Sequence, residues 1–285
     1  MIYIVTTHKE RNENLSEKSW KELKETFGNN IKLIYADTDD LSILADEDII
    51  LAETRDDKYT HIIRNLGVKH TMELPKVNIL AQDKEVVKPI LESIGVPYPK
   101  TIDLDKVVDG GKYFVKPLHG MDSIGVDENS LCTTKEEVKK QIEKIIELGD
   151  IALIEEFIDG IDCTVGIFNI HGEGIQAYPI SIKANMQTRG NIYTHEAKYA
   201  FDEECKKFDH PLIKDYAIKA FKAIGGQKYM RIDFRVKENG DAYLIDINQL
   251  PGLGNNDHLS LCCKEWFGAS HKETIETILK TATYG

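Results

Sequence analysis

The sequence predicts an α/β protein in which a small parallel α/β unit at the N-terminus is followed by further units of mixed strands and helices. Two observations favour this class. Predicted strands and helices alternate over residues 1–75. A predicted β-hairpin that is rich in polar side chains lies between Met230 and Gly254. With 285 residues, the chain is long enough for two or three small domains that share a core.

The first unit is defined by short aliphatic runs and by segments with helical spacing. The predicted strands are Ile2–Val5, Ile31–Ala36 and Asp48–Ala52, and the predicted helices are Leu15–Phe27 and Tyr59–Leu66. Gly28 and Gly67 follow these helices, where glycine commonly ends a helix. No glycine-rich turn follows the first strand, so a dinucleotide site there is not supported. Leu74–Pro75 marks the first domain boundary.

Composition and charge exclude several classes of function. Hydrophobic residues make up 41% and charged residues 29% of the chain, as in an ordinary globular protein. A net charge of −12 argues against general attraction to nucleic acid or to an anionic membrane. No signal peptide or long apolar segment is visible, and the five cysteines form no CxxC pair. The sequence therefore predicts a cytoplasmic protein with free thiols that binds neither nucleic acid nor a membrane.

The hairpin contains a candidate metal site. Asn239–Gly240 predicts a two-residue turn, which places Asp233 opposite Asp246 and Arg231 opposite Asn248. Carboxylates whose Cβ atoms are about 5 Å apart repel each other unless a cation lies between them. An amphipathic hairpin with its polar face in water is the alternative; three converging oxygen donors instead favour Mg²⁺. On the opposite face the same turn pairs Ile232 with Ile247, Phe234 with Ile245 and Val236 with Tyr243.

Two lysines lie near predicted element ends. Lys84 begins a helical segment with Asp83 as its predicted N-cap, a position more typical of a solvated charge. Lys116 ends a predicted strand, and a loop bracketed by Gly120 and Gly125 follows it. Backbone N–H groups in such a loop can approach phosphate oxygens, and a lysine adds a fixed positive charge. A glycine-containing hairpin loop without a ligand is the equally weighted alternative.

The next predicted strand covers residues 151–154, and acidic residues follow it. Glu155 there is either an ordinary strand end or a carboxylate that accepts a hydrogen bond from an adenine amino group. Residues 183–200 are polar and weakly periodic, which predicts a loop over a site.

The order of these segments resembles the ATP-grasp superfamily, and within it the D-alanine–D-alanine ligase-like branch. The resemblance covers about residues 78–265 and rests on the segments QDKEVVKPILESIGVPYP, YFVKPLHGMDSIGV, IEEFIDGIDCTV, HEAKY, RIDF and IDINQLPG. It implies an α/β fold of the α+β ATP-grasp type. An N-terminal parallel α/β domain, residues 1–75, would precede two α+β subdomains, residues 76–154 and 155–285, that grip ATP between them.

The resemblance also implies a role for each motif residue. The implied nucleotide-binding residues are Lys84, Lys116, Ser123, Glu155, Phe157, Ile158, Asp162, Lys198 and Asn248. Within that set, Glu155 would contact the adenine amino group, Phe157 and Ile158 the adenine through the backbone, and Asp162 the ribose. The implied ligands of two Mg²⁺ ions, with Mn²⁺ as the alternative ion, are Asp233, Asp246 and Asn248. The implied catalytic residues are Arg231 and Lys198, and the implied substrate-binding residues are Asp122, Tyr199, Arg231 and Asp257.

Enzymes of this kind make an acyl phosphate from a carboxylate and ATP, and an amine then displaces the phosphate to give an amide. The resemblance thus implies a carboxylate–amine ligase that acts on an amino acid or a peptide-like acid, and a homodimer formed through the N-terminal domain. Another ATP-grasp chemistry, either ring closure or the formation of a non-peptide amide, is one alternative. A non-catalytic nucleotide-binding protein is the other.

Three departures from the family pattern concern the substrate. Asp122 precedes Ser123 where D-alanine–D-alanine ligases carry consecutive serines, and Asp257 aligns with a serine that helps hold the acceptor carboxylate. The family's N-terminal glycine-rich segment, whose glutamate meets the first substrate's amine, has no counterpart in MIYIVTTHKERNEN. Because a carboxylate at Asp257 would repel an acceptor carboxylate, the sequence predicts a product other than D-alanyl-D-alanine.

Overall fold

The structure, a computed structural model, describes residues 1–11, 15–119, 125–184 and 203–284, which form three β-sheets flanked by helices. The strands are β1 (Ile2–Thr6), β2 (Ile31–Tyr35), β3 (Ile49–Ala52), β4 (Lys69–His70), β5 (Tyr113–Pro117), β6 (Leu131–Cys132), β7 (Ala152–Glu156), β8 (Ile161–Ile170), β9 (Gly174–Ala184), β10 (Glu203–Lys207), β11 (Tyr229–Val236) and β12 (Ala242–Asn248). The helices are α1 (Glu17–Phe27), α2 (Asp57–Arg64), α3 (Pro75–Gln82), α4 (Lys84–Ser93), α5 (Lys135–Glu147), α6 (Pro211–Ile224), α7 (His258–Phe267) and α8 (His271–Leu279).

The N-terminal sheet is parallel and has the order β2-β1-β3-β4, as the alternation of strands and helices predicts. Successive side chains of β1 point to opposite faces. Tyr3 and Val5 belong to one apolar core, and Ile4 belongs to a second. The second core also includes Phe168 and Ile275, from β8 and α8. The N-terminal sheet therefore shares a core with the C-terminal part of the chain.

The three-stranded sheet has the order β6-β5-β7 and is antiparallel. Helix α5 covers one face, where Val138 and Ile145 pack with Val115. The helix begins in a capping box in which Thr134 and Glu137 each bond the other's backbone N–H. The sheet thereby holds β5 and β7, the strands of Lys116 and Glu155, side by side. The predicted domain boundary after residue 154 falls inside β7.

The five-stranded sheet is antiparallel and has the order β10-β9-β8-β11-β12. One face is apolar: Val165, Ile232 and Phe234 pack in a core that includes Ala217 and Phe221 of α6. Because side chains alternate along a strand, residues 231, 233 and 235 of β11 lie on the other face. This alternation sets aside one side of the sheet for polar groups.

The β11–β12 hairpin confirms the predicted metal-donor pairs. Asp233 lies opposite Asp246, Arg231 lies opposite Asn248, and the apolar pair Ile232–Ile247 is also as predicted.

The predicted turn of this hairpin is wrong. The loop has three residues, Glu238–Gly240, because Lys237 N–H donates to the Asp241 carbonyl at 2.8 Å and Val236 pairs with Ala242. Gly240 has a φ of +90°, which suits the last position of a three-residue hairpin loop. The predicted pairs Phe234–Ile245 and Val236–Tyr243 are therefore also wrong.

A β-bulge restores the register. Phe234 faces Leu244 while Asp233 faces Asp246, so that Ile245 is an extra residue on β12. The longer turn moves the pairing by one residue, and the bulge moves it back before the aspartates. The two aspartates therefore oppose each other because the bulge compensates for the longer turn, which the sequence prediction did not include.

Two further properties concern the residues that the structure describes. None of their helices has the length and apolar character required to cross a membrane. All five cysteines are free thiols, as predicted.

Candidate active site

A row of polar side chains crosses strands β8, β11 and β12 on the face opposite the apolar core. Asp233 lies beside Thr164 on β8 and beside Asp246 on β12. Two residues further along β11 and on the same face, Arg235 lies opposite Asp162. Antiparallel pairing therefore brings together acidic residues that are far apart in the sequence.

Arg231 and Thr164 hold the Asp233 carboxylate. Arg231 Nε donates to Asp233 Oδ1 at 3.0 Å, and its Nη2 donates to Oδ2 at 2.9 Å. Thr164 Oγ1 donates to Oδ1 at 2.5 Å. The Arg231 side chain is 10% exposed, so this fork of hydrogen bonds fixes a cation that is nearly buried.

The second predicted metal ligand, Asp246, lies near the first predicted phosphate-binding lysine. Lys84 Nζ is 3.6 Å from Asp246 Oδ1 and donates to the Leu118 carbonyl at 3.2 Å. Asn248 is buried, and its Oδ1 accepts the Leu250 N–H at 3.0 Å. Burial lowers the pKa of Lys84, and the Asp246 carboxylate opposes that shift.

The three predicted metal donors fit a divalent cation. Asp233 and Asp246 are directly opposed, and each already has a positive side chain against it, Arg231 in one case and Lys84 in the other. Both carboxylates therefore already attract positive charge. Two carboxylates and the amide oxygen of Asn248 form the hard oxygen set that Mg²⁺ and Mn²⁺ prefer.

Lys116 connects the two antiparallel sheets. Its Nζ donates to the Ile245 carbonyl at 3.1 Å and lies 2.8 Å from Glu155 Oε2. Ile245 is the bulge residue and has no paired residue on β11. The bulge thus provides the oxygen that binds Lys116 beside the metal donors.

Glu155 is almost fully buried between two lysines. Its Oε2 bonds Lys116, and its Oε1 lies 2.9 Å from Lys88 Nζ. Lys88 lies one helical turn beyond Lys84 on α4, so both ammonium groups project from the same side of the helix. Sequence reasoning did not identify Lys88, and its spacing of four residues from Lys84 is the only signal that could have indicated it.

Arg235 contacts the residues that are predicted to bind adenine and ribose. Sequence reasoning did not identify this arginine. Its Nε donates to the Ile158 carbonyl at 3.1 Å, and its Nη1 donates to Asp162 Oδ2 at 3.0 Å. The guanidinium also lies 5.2 Å from the centre of the Phe157 ring, and the Phe157 N–H donates to the Lys112 carbonyl at 3.1 Å. Burial raises the pKa of the Asp162 carboxyl, and Arg235 opposes this.

A cleft opens beside these groups, between α4 and β12. It is lined by Ala81, Lys84, Val87, Lys88, Leu91, Tyr98, Pro99, Glu155, Leu244, Ile245, Asp246 and Ile247. Its walls therefore combine apolar side chains with Lys84, Lys88 and two carboxylates.

Arg55, in the loop after β3, connects the loop after β12 to the loop after β1. Asp257, the N-cap residue of α7, accepts the Gly254 N–H. Arg55 Nη2 donates to the Leu250 carbonyl at 3.2 Å, and the Arg55 N–H donates to Glu10 Oε1 at 2.7 Å. Sequence reasoning did not single out Glu10, although this buried glutamate lies in the segment after the first strand. The N-terminal unit thus reaches the loop that holds Asp257.

Four predicted site residues lie outside the described residues. They are Asp122 and Ser123, in the predicted loop between Gly120 and Gly125, and Lys198 and Tyr199, in the predicted loop over the site.

Comparisons with known proteins give matches in sequence and in fold. The family model described as D-ala D-ala ligase C-terminus matches residues 106–280. The D-alanine–D-alanine ligase of Maridesulfovibrio salexigens is 32% identical over 221 residues, which cover 72% of this chain and 69% of that protein. The ligase of the same name from Saccharophagus degradans is 27% identical over 239 residues, which cover 79% of this chain and 72% of that protein.

Solved structures share the fold. The D-alanine–D-alanine ligase from Bacillus anthracis complexed with ATP has a TM-score of 0.75 at 20% identity, covering 99% of this chain and 97% of that one. VanG D-Ala:D-Ser ligase from Enterococcus faecalis has a TM-score of 0.73 at 14% identity, covering 98% of each chain. The predicted ATP-grasp fold is therefore confirmed. Given the extent of the family-model match, the chain belongs to the D-alanine–D-alanine ligase family of ATP-grasp enzymes, which are ATP-dependent carbon–nitrogen ligases.

Proposed function

We propose that this chain activates the carboxylate of an amino acid or a peptide-like acid with ATP and joins the resulting acyl phosphate to an amine. The observation that carries the proposal is the contact of Lys84 with Asp246, whose carboxylate lies opposite Asp233, beside the cleft. The lysine can bind phosphate oxygens, and the carboxylates are hard oxygen donors for a divalent ion. Phosphoryl transfer to a carboxylate requires both kinds of group close together.

The buried lysines support the nucleotide part of the proposal. Lys84 and Lys116 would hold phosphate oxygens, together with Ser123 and Lys198, and the phosphate charge would offset the cost of burying their ammonium groups. Glu155 uses each carboxylate oxygen for one lysine, which leaves further lone pairs for an adenine amino group.

The hinge beside Glu155 would complete the nucleotide site. Phe157 and Ile158 would contact the adenine through the backbone, and Asp162 would accept the ribose hydroxyls. Arg235 supports this assignment because it ties Ile158 and Asp162 to one guanidinium and so fixes their separation.

The hairpin would hold the metal. Mg²⁺, as two ions or with Mn²⁺ in its place, supplies positive charge to the terminal phosphates of ATP when it is bound. Asp233, Asp246 and Asn248 would be its ligands. Arg231 is nearly buried and is held in place by its hydrogen bonds to Asp233. Its guanidinium would therefore be positioned to stabilise the oxyanion that forms when the amine attacks the acyl phosphate.

We propose further that the acceptor is not D-alanine. The carboxylate of Asp257 begins α7 and adds negative charge to the loop that follows the metal hairpin. Asp122 and Tyr199 are proposed as further substrate contacts. Asp257→Asn tests the charge directly, because an amide oxygen can still accept the Gly254 N–H. We expect this variant to shift the preference about tenfold, or about 1.4 kcal/mol, towards acceptors with a free carboxylate. An unchanged preference would remove the electrostatic argument and leave the ligase proposal intact.

The experiment for the main proposal is ATP-dependent hydroxamate formation. Purified protein, Mg²⁺, ATP and hydroxylamine are incubated with a panel of amino acids and small peptides, and ATP binding is measured separately. We expect at least one acid to give a hydroxamate, which identifies the activated carboxylate. ATP binding without any hydroxamate over the panel counts against the proposal.

Two matched variants in one hairpin test the site. Asp246→Asn removes a proposed metal ligand, and we expect it to slow hydroxamate formation by about 100-fold or more. Asp241→Asn changes an exposed carboxylate in the same hairpin and should retain the wild-type rate. A full rate in Asp246→Asn would refute the proposed metal site. The homodimer and the cytoplasmic location stay predictions.

A further inference from the structure

A second cluster of metal-ligating side chains lies where β10 meets α7. It consists of Glu203, Cys205 and His258, whose ligand atoms all lie within 4.8 Å of one another. Glu203 and Cys205 are alternate residues of β10 and therefore point to the same side of the strand. His258 is the first residue of α7, which packs against that side. Two separate elements thus supply one thiol, one imidazole and one carboxylate.

The distances within the cluster match a tetrahedral metal site. His258 Nε2 is 3.1 Å from Glu203 Oε1, and Cys205 Sγ is 3.8 Å from the same oxygen. Metal–nitrogen and metal–oxygen bonds of about 2.0 Å and metal–sulfur bonds of about 2.3 Å give tetrahedral edges of about 3.3 and 3.5 Å. Two edges of the tetrahedron are therefore already formed to within a few tenths of an ångström.

The donor types distinguish this cluster from the magnesium hairpin. A thiolate and an imidazole are soft or borderline ligands that favour Zn²⁺ and Co²⁺, whereas Mg²⁺ prefers oxygen donors alone. The thiolate of Cys205 and the carboxylate of Glu203 would together neutralise a divalent ion. The side chains of Glu203 and His258 are each only 7% exposed, so water competes poorly for the ion. A hydrogen-bonded Glu203–His258 pair without a metal is the simpler alternative.

We propose that Glu203, Cys205 and His258 form a zinc site that is separate from the magnesium site and leaves a fourth coordination position for water. On binding, the Cys205 Sγ–H bond breaks, the sulfur keeps the electron pair and bonds the metal, and the proton passes to solvent. His258 binds through Nε2 in its neutral form. No electron is transferred.

The site would join two parts of the molecule near the proposed active site. His258 follows Asp257 directly, and Asp257 bonds the loop after the metal hairpin. Among the described strands, β10 is the outermost of its sheet. A bound zinc ion would therefore fasten this edge of the sheet to the helix that begins at Asp257. The inference rests on the cluster geometry and does not depend on the proposed ligase activity.

Cobalt spectroscopy on the whole chain tests the proposal. The reduced protein is stripped of metal with a chelator and titrated with Co²⁺ without oxygen. We expect one Co²⁺ per chain, with a thiolate-to-cobalt charge-transfer band and the visible bands of tetrahedral cobalt. Stoichiometric Zn²⁺ should abolish these bands, and excess Mg²⁺ should leave them unchanged. Absence of a thiolate band in the wild-type protein would overturn the proposal.

Variants then locate the ion. Cys205→Ser should lose the charge-transfer band, and His258→Gln should weaken Co²⁺ binding by more than about 100-fold. Glu203→Gln should also weaken binding, whereas Glu204→Gln, which changes an exposed carboxylate on the other side of β10, should bind Co²⁺ like the wild type. Circular dichroism checks that each variant is folded. A charge-transfer band that persists in folded Cys205→Ser would place the metal at another cysteine and refute the assignment.

Discussion

Replacement of Glu155 by glutamine should destabilise the protein more than any ordinary surface substitution. The carboxylate is 3% exposed and lies 2.9 Å from Lys88 Nζ and 2.8 Å from Lys116 Nζ. At an effective dielectric constant of about 20, each contact is worth about 6 kcal/mol before the cost of desolvation is subtracted. Glu155→Gln removes the carboxylate beside the buried ammonium of Lys116 and leaves Lys88 with Glu85, which is half exposed and 3.2 Å away. Loss of one member of a buried ion pair typically costs about 3–5 kcal/mol, and we expect a loss of that size.

Urea unfolding followed by circular dichroism measures this free energy. The matched control is Glu156→Gln, the next residue of β7, whose carboxylate accepts the Lys100 N–H near the surface. In the double variant Lys88→Met/Glu155→Gln, one of the two buried ammonium groups that face residue 155 is gone. Its cost should therefore be at least about 1 kcal/mol below the sum of the two single costs. If Glu155→Gln and Glu156→Gln agree within about 0.5 kcal/mol, the buried network does not stabilise the fold as argued.

Two further predictions concern pH and packing. Burial, reinforced by nearby cations, lowers the pKa of His70 from 6.5 to about 4, so the unfolded chain takes up a proton at a higher pH than the folded one does. The free energy of unfolding should accordingly fall by about 3 kcal/mol as the pH drops from 6.5 to 4. His70→Phe should remove that part of the fall. Equal pH profiles of stability for the wild type and the variant would contradict the prediction. Gly160→Ala should lower the free energy of unfolding in urea by about 1–3 kcal/mol, because the new Cβ would overlap the Val236 carbonyl. The control is Asp159→Ala at the neighbouring exposed position, which should change that free energy by less than about 0.5 kcal/mol. A neutral Gly160→Ala would show that the backbone there can move.

The sequence was sufficient where spacing determines contact. Asp233 and Asp246 could be paired because a hairpin fixes which residues oppose each other, although the turn was assigned one residue too short. Lys88 could not be found in the same way. It lies in the motif segment of Lys84, but that motif gives it no role. Its importance depends on Glu155, which is distant in sequence and contacts it only in the folded chain.

Two elements near the site also escaped prediction, each for a local reason. Strand β9 contains Pro179, which argues against a strand because proline has no N–H to donate. The paired part of β10 ends opposite Ile180, so no N–H of Pro179 is required there. Helix α7 is buried on several sides, including His258 and Cys262, and this burial removes the alternation of polar and apolar residues that indicates a helix.

Twelve residues lie between Asp233 and Asp246 in the sequence. A two-residue turn with five flanking pairs gives that number, and so does the observed three-residue turn with four pairs and the extra residue Ile245. A related chain could exchange one hairpin architecture for the other without an insertion or a deletion and still present both carboxylates to the same ion. It would lose only the outward carbonyl of Ile245, and with it the contact by which Lys116 aligns one sheet on the other.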